Sequence, residues 1–241
     1  MKLDGVAKQF NTIARDYNKN AFQKSVGTDY LSTIEKDFIN SQVLQHEKRF
    51  VDLGIGTGRN AKILLEKGNF VLGLDGAINM LEEARLSLAE WVKMQKLELV
   101  HHELNKPLPL KNKSADGIIC IRVIKYISNW KGLLSEAARV LKSGGILIIE
   151  IPNTQSASGI SRLYNSYITF TSTEFEAEAL RNKLIIAKRW AGVKLPFFLY
   201  SHAQNSLVLS ALILVEGVLR AFLRDTFSRN YIYVLEKQVD N

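Results

Sequence analysis

Residues 51–58 read VDLGIGTG, and this stretch decides the fold. A short apolar run, Arg49 to Leu53, precedes three glycines at alternate positions, and a helix-forming segment follows at 60–67. Glycines let a loop approach a ligand without an intervening Cβ atom, and the first turn of a helix offers free N–H groups. The order strand, glycine loop, helix therefore predicts a ligand site at the carboxyl end of a parallel strand.

On either side of this stretch, strand-like and helical segments alternate, which is typical of a parallel sheet with crossover helices. Helices are expected at 78–96, 130–141 and 206–223, and residues before Phe50 contain no strand and predict helices that cap the sheet. We therefore expect an α/β fold with a doubly wound, mostly parallel, seven-stranded sheet and helices on both faces. The other six strands are expected at 70–74, 97–100, 117–121, 146–151, 184–187 and 231–235.

Composition narrows the class of protein. With 46% hydrophobic and 23% charged residues, the chain is expected to be globular rather than disordered or a multispan membrane protein. A single cysteine, Cys120, excludes an intramolecular disulfide, and no apolar signal segment follows Met1, so we expect a cytoplasmic location. The apolar run at 206–223 is interrupted by Glu216 and Arg220, which favours a buried or surface-lying amphipathic helix over a membrane span.

Acidic residues indicate what the glycine loop binds. The third glycine of the dinucleotide fingerprint is missing, because Arg59 stands there, and Asp52 would repel a pyrophosphate. A cationic ligand such as S-adenosylmethionine fits better. Asp75, at the end of the second strand, could accept hydrogen bonds from two ribose hydroxyls, and Glu103, after the third, could accept one from the adenine amino group. Taken one at a time, these acids could also be solvated strand ends.

The chain resembles the class I S-adenosylmethionine-dependent methyltransferases, in particular the small-molecule branch that includes the ubiquinone-biosynthesis O-methyltransferases. The resemblance rests on 51–58, on VLGLD at 71–75, on ELNKPLP at 103–109, on the stretch 136–145 before the fifth strand, and on FNTIARDY at 10–17. It implies a Rossmann-like class I fold with an N-terminal helical lid, S-adenosyl-L-methionine as cofactor and a small-molecule acceptor. The cofactor-binding residues that follow are Tyr17, Asp52, Gly54, Gly56, Asp75, Gly76, Met80, Glu103, Leu104 and Arg122.

The same resemblance organises the chain as one methyltransferase domain, 1–241. Within it we expect a helical cap at 1–48, a cofactor-binding half at 49–151 and an acceptor-side half at 152–241 with the last two strands and an apolar helix. No zinc-like His/Cys spacing is present, and no metal site is expected.

The catalytic base is the residue that the motifs do not supply. Relatives often carry histidine where Tyr126 stands at the end of the fourth strand, so their usual base cannot be transferred to this chain. Tyr126 and His202 are weak candidates, and a packing role is an open alternative for each. Methyl transfer from a sulfonium is an in-line displacement, which needs a base only if the acceptor is protonated at neutral pH.

Charge points to the acceptor side. The formal net charge is +8, and residues 181–241 contribute +5 of it, with nine basic and four acidic side chains. Lys188 and Arg189 lie close in sequence to Trp190 and Phe197, which suits a hydrophobic or anionic acceptor or peripheral contact with an anionic membrane. A solvated face, an RNA (tRNA or rRNA) methyltransferase that uses the charge as its footprint, and a non-catalytic cofactor-binding protein remain alternatives.

Overall fold

The sheet has seven strands in a computed structural model that describes residues 5–44, 46–156 and 167–239. Its strand order is β3-β2-β1-β4-β5-β7-β6, and β7 alone runs antiparallel to its neighbours β5 and β6. The predicted doubly wound, mostly parallel sheet is confirmed. The strands are β1 (Arg49–Leu53), β2 (Phe70–Asp75), β3 (Leu97–His101), β4 (Ala115–Cys120), β5 (Leu141–Pro152), β6 (Leu184–Ala191) and β7 (Asn230–Lys237).

Helices precede the sheet and cover both of its faces. A large apolar cluster on one face includes the buried side chains of α7 and α8, and a second cluster on the other face includes those of α4. The helices are α1 (Val6–Ile13), α2 (Tyr17–Phe22), α3 (Val26–Gln42), α4 (Arg59–Glu66), α5 (Ile78–Ser87), α6 (Ala89–Lys93), α7 (Trp130–Val140), α8 (Ser172–Arg181), α9 (Phe197–Ser201) and α10 (Ser206–Phe222).

Apart from the sixth strand, which extends to Ala191 instead of ending at 187, two predicted elements differ from the observed ones. The helix expected at 78–96 is interrupted at Leu88, whose backbone leaves the helical region (φ −118°, ψ 26°) while its buried side chain packs against Gly58. The strand expected at 146–151 begins earlier, at Leu141, because Leu141 pairs with Ala115 before a register shift. In both places long-range packing overrides the local pattern.

The cap helix α3 joins the N-terminal helices to the acceptor side. Its first turn contacts α9 so closely that a Cβ atom on Gly27 would lie 2.2 Å from the carbonyl oxygen of Tyr200. The apolar run at 206–223 forms α10, a surface helix that packs against α3 and α9. Within the described ranges, we find no helix that combines the length and apolarity needed to cross a membrane.

Candidate active site

A cavity of about 520 Å³ opens at the carboxyl ends of β1, β2 and β4, with α1 and α2 along one side. Parallel strands bring the residues that follow them to one edge of the sheet, and here Leu53 is level with Leu74 and Asp75 with His101. Nine of the ten residues predicted to bind the cofactor line this cavity. They are Tyr17, Gly54, Gly56, Asp75, Gly76, Met80, Glu103, Leu104 and Arg122.

The three loop glycines all have positive φ, but for different reasons. A Cβ atom on Gly54 would lie 2.3 Å from Val123, and one on Gly58 would lie 2.5 Å from Leu88. Packing therefore leaves no room for a side chain at either position. A Cβ atom on Gly56 would meet no atom within 4 Å. Because Gly56 also lines the cavity, its bare backbone leaves room for a ligand to approach.

Asp75 holds the loop in place and faces the cavity. One carboxylate oxygen accepts a hydrogen bond from the Gly56 N–H and the other accepts one from the Ala77 N–H, each at 2.8 Å. Burial raises the pKa of Asp75, and these backbone hydrogen bonds oppose that shift. Each oxygen can accept a further hydrogen bond, so the carboxylate can bind a pair of hydroxyl donors.

Asp52, by contrast, does not line the cavity, so the predicted direct contact with the cofactor is not supported by this geometry. The side chain is 2% exposed and accepts a hydrogen bond from the backbone of Ala61, in the first turn of α4. Its Oδ2 atom has no hydrogen-bond partner among the described residues. Burial, followed by the charge of Asp75, raises the pKa of Asp52 to about 8.

Aromatic side chains from the N-terminal helices form one side of the cavity. Tyr17 contacts Phe10 and Phe22 edge-on, at ring-centroid distances of 5.9 and 5.6 Å. Phe10 also contacts Tyr126, which lies at 5.4 Å on a different element. These side chains screen the cavity from solvent, as the predicted lid helix would, and burial raises the pKa of Tyr17.

Two arginines share one glutamate beside the cavity. Glu35 of α3 is 3% exposed, and one of its oxygens accepts hydrogen bonds from Arg122 at 3.2 and 3.1 Å, while the other accepts one from Arg59. Both guanidinium groups lie over the Phe22 ring, that of Arg59 at 4.2 Å and that of Arg122 at 4.6 Å from the ring centroid. Burial, reinforced by Arg122, lowers the pKa of Arg59 to about 9. The cluster carries a net positive charge because two cations face one anion.

The remaining predicted cofactor residues lie around the same cavity. Met80 and Leu104 are buried and contribute apolar wall, whereas Glu103 is exposed at the rim. Lys106 donates to Glu103 at 2.9 Å, and this hydrogen bond lowers the pKa of the Glu103 carboxyl. A carboxylate that is already ionised and solvated at the rim can accept a hydrogen bond from a ligand at little desolvation cost.

The two candidate bases are separated by the fold. Tyr126 lines the cavity, but burial raises its pKa to about 12, so the phenol is neutral at physiological pH and cannot act as a ready base. His202 lies at the end of α9, where its Nδ1 is 2.7 Å from the Phe198 carbonyl oxygen, and it is not part of the cavity wall. The geometry therefore gives His202 a structural role and does not support its prediction as a catalytic base.

Charged groups with few partners flank Tyr126 on the acceptor side. Lys125 lies with its Nζ 5.1 Å from the Tyr126 ring centroid, and burial lowers its pKa to about 8. Burial also lowers the pKa of Arg229, whose guanidinium stacks on Phe197. Glu150 of β5 accepts a hydrogen bond from Asn230 at 2.6 Å, while its other oxygen is buried and finds no partner in the described parts of the chain.

Sequence reasoning missed Glu35, Arg59 and Phe22 as parts of the site. In the sequence, Arg59 differs from its neighbours only by breaking the dinucleotide fingerprint. Glu35 lies in the middle of a helix, far from every motif, and only the packing of α3 over the strand ends brings it to the cavity. The 51–58 motif could have suggested Arg59, because the residue after the last glycine begins a helix at the site. Within the described ranges, no three His, Cys, Asp or Glu side chains cluster as a metal site.

The class of protein follows from the fold and this cavity. The strand order, the antiparallel β7, the glycine loop after β1 and the acid at the end of β2 together define the class I methyltransferase fold. Residues 51–149 match the family model described as a methyltransferase domain. Over this segment the chain is therefore similar to methyltransferase domains, and its fold is that of the class I S-adenosylmethionine-dependent methyltransferases, as its motifs indicate.

Individual relatives are distant. The chain is 28% identical over 145 residues to the demethylmenaquinone methyltransferase of Tropheryma whipplei (strain Twist), a match that covers 60% of this chain and 57% of that protein. It therefore spans little more than half of that relative's length.

Solved structures share the fold at low identity. Geranyl diphosphate C-methyltransferase from Streptomyces coelicolor A3(2), solved with Mg²⁺, geranyl diphosphate and S-adenosyl-L-homocysteine, superposes with a TM-score of 0.65 at 15% identity, covering 88% of this chain and 81% of that one. The [4+2]-cyclase SpnF superposes with a TM-score of 0.66 at 16% identity, covering 86% and 81%. A fold shared by a methyltransferase and a cyclase does not specify the reaction.

Proposed function

We propose that this protein binds S-adenosyl-L-methionine in the 520 Å³ cavity and transfers its methyl group to a small molecule. The observation that carries the proposal is the Asp75 carboxylate, held by two backbone N–H groups beside the open backbone of Gly56. This arrangement suits a ribose diol. We also propose a cytoplasmic location, on the grounds of the single, buried cysteine.

The residues present fit the other parts of this cofactor. Its carboxylate suits the positive balance of Arg59 and Arg122 against Glu35, its adenine suits the apolar wall of Leu104, and the rim carboxylate of Glu103 can accept from the amino group. When bound, the cofactor supplies an electrophilic methyl group on a sulfonium and leaves as the thioether.

The chain's own residues then have two tasks. Tyr17, Phe10 and Tyr126 exclude water from the cavity, which favours displacement by the acceptor over hydrolysis. The Tyr126 hydroxyl is neutral and can donate a hydrogen bond that orients the acceptor, while the acceptor's own nucleophile is aligned with the methyl group. An acceptor that is already deprotonated needs no further base.

We propose that the acceptor is hydrophobic and carries an anionic group. In support, Lys125 and Arg229 lie against aromatic rings, and the charge of Glu150 only partly offsets the effect of burial on the pKa of either cation. Two buried cations that share one carboxylate keep part of their desolvation cost, which an acceptor carboxylate or phosphate would relieve. The aromatic rings would contact its apolar part.

Calorimetry with S-adenosylhomocysteine tests the cofactor site. We expect the wild type to bind and Asp75→Ala to bind about 30 to 100 times more weakly, because a charge-assisted pair of hydrogen bonds is lost. Asp116→Ala removes a carboxylate at the opposite end of the sheet and should leave the affinity unchanged. No binding by the wild type, or equal binding by Asp75→Ala, would contradict the proposal.

A turnover assay tests the acceptor class. With methyl-labelled cofactor, pooled small molecules and total RNA, we expect label in organic acids or phosphate esters. Arg229→Ala should lower that incorporation while leaving S-adenosylhomocysteine affinity intact. Label in RNA would favour the RNA alternative, and cofactor binding without any turnover would favour the non-catalytic one.

A further inference from the structure

Helix α10 presents its apolar side to solvent. Leu207, Leu214, Val218 and Phe222 recur at intervals of seven, four and four residues, which places them in one stripe along the helix. Their exposed fractions are 82%, 71%, 50% and 84%. Large apolar side chains at this exposure, in a continuous row, mark an interaction surface rather than ordinary surface. We call these four residues the outer stripe.

The acidic residue of α10 is directed inward, and its one basic residue, Arg220, is half-exposed on the same side of the helix as that acid. Glu216 is 4% exposed and accepts hydrogen bonds from the N–H groups of Lys194 and Leu195, at 2.8 and 3.1 Å. Arg220 lies 3.4 Å from the Glu216 carboxylate. A solvent-facing helix normally turns its charges outward, whereas here the buried Glu216 anchors the helix to the protein and the outer stripe contains no charged residue.

The apolar surface continues at both ends of the helix. Phe198 of α9, which contacts α10, is 60% exposed, and Leu223 and Phe227 follow the helix at 40% and 47%. The helix α10 packs on α3, and Glu35 of α3 contacts Arg122 at the cavity. One helix therefore connects this surface with the cavity.

We infer that the outer stripe of α10 docks on an anionic lipid surface. The helix has 17 residues, or about 25 Å, and lies along the protein surface as an interfacial helix does. Arg220, whose side chain is 42% exposed, and Arg224, which is exposed, lie in the last turn of the helix and just beyond its end, and these cations complement anionic headgroups.

A second copy of the chain fits less well. Pairing of two helices is given register and specificity by polar or charged side chains at the seam, and the outer stripe offers none. A bilayer needs no such register. The inference goes beyond methyl transfer and holds whether or not the cofactor proposal is correct.

Vesicle co-sedimentation of the 241-residue chain tests this inference. We expect the wild type to bind vesicles of phosphatidylcholine and phosphatidylglycerol in equal parts, and to bind pure phosphatidylcholine more weakly. Leu214→Glu/Phe222→Glu should weaken binding by about tenfold or more, because two exposed apolar groups that would enter the lipid are replaced by anions. Leu86→Glu is the matched control, since Leu86 is 72% exposed on α5, and it should bind as the wild type does.

Several results would overturn the inference. These are no vesicle binding by the wild type, an equal loss in Leu86→Glu, or equal binding to both kinds of vesicle. Analytical ultracentrifugation distinguishes the competing occupant, because a wild-type dimer that Leu214→Glu/Phe222→Glu dissociates would assign the stripe to a second copy. Thermal melts of both variants establish that they are folded, which surface positions should permit.

Discussion

The two sides of the cofactor cavity are built in different ways. The glycine loop and Asp75 belong to one strand–helix–strand unit, residues 51–75, and backbone hydrogen bonds hold them in place. On the other side, Glu35 of α3 and Arg122, which follows β4, are 87 residues apart in sequence, and side-chain charges hold them together with Arg59 of the local unit. The difference teaches that a binding loop can be local while the charges that complete its site are assembled by packing.

The largest expected effect concerns Asp52, on the local side of the cavity. Its pKa is about 8 in the folded chain and about 3.9 in an unfolded one, so the folded state binds the proton more tightly. The free energy of unfolding should therefore decrease as pH rises from about 4 to about 8. In Asp52→Asn this decrease should be smaller by about 5 kcal/mol. Urea denaturation of both proteins across this pH range measures it.

Asp116→Asn provides the control for that measurement. Although burial acts to raise it, hydrogen bonds from Lys142 and from the Arg49 N–H lower the pKa of Asp116. Asp116 is then ionised in both states across this pH range and should contribute no slope above about pH 4. If Asp52→Asn kept the wild-type slope, the carboxylate would be solvated or paired, and the local side would not contain a buried acid.

The next effect concerns Glu35, on the side assembled by packing. Glu35→Ala leaves two largely buried guanidinium groups unpaired, so we expect the free energy of unfolding to fall by about 3 to 5 kcal/mol at neutral pH. Denaturation with urea checks this, and Glu35→Gln should lose less because an amide oxygen still accepts hydrogen bonds. A loss below about 1 kcal/mol would mean that the cluster behaves as a surface pair.

The smallest effect concerns Lys188 and Arg189, the basic pair that the sequence associates with membrane contact. Lys188 lies over the Phe38 ring and Arg189 pairs with Glu176 at 3.3 Å, so both are already engaged on β6. We expect Lys188→Ala/Arg189→Ala to weaken vesicle binding less than about threefold, whereas two cations at an anionic surface would contribute about thirtyfold. The same co-sedimentation assay decides, and a thirtyfold loss would move the docking surface from α10 to β6.

The residues that could be predicted from the sequence are those whose role depends on near neighbours. Gly54, Gly56 and Asp75 follow strands whose ends must meet, so their place in the cavity could be read from spacing alone. Asp52 could not, because one register position decides whether a strand residue points to the cavity or to α4. The break between α5 and α6 at Leu88 could not be predicted from the sequence either, since it depends on a contact with Gly58.

The sequence by itself determined the sheet, the glycine loop and the acid at the end of β2, because apolar periodicity and backbone conformational limits act over a few residues. Only the tertiary structure decided that Glu35 pairs two arginines, that His202 lies away from the cavity and that α10 buries its one acidic residue, Glu216. These features depend on which faces of distant helices meet. The physical reason is that burial and charge pairing are properties of the assembled chain, and no local pattern specifies the partner.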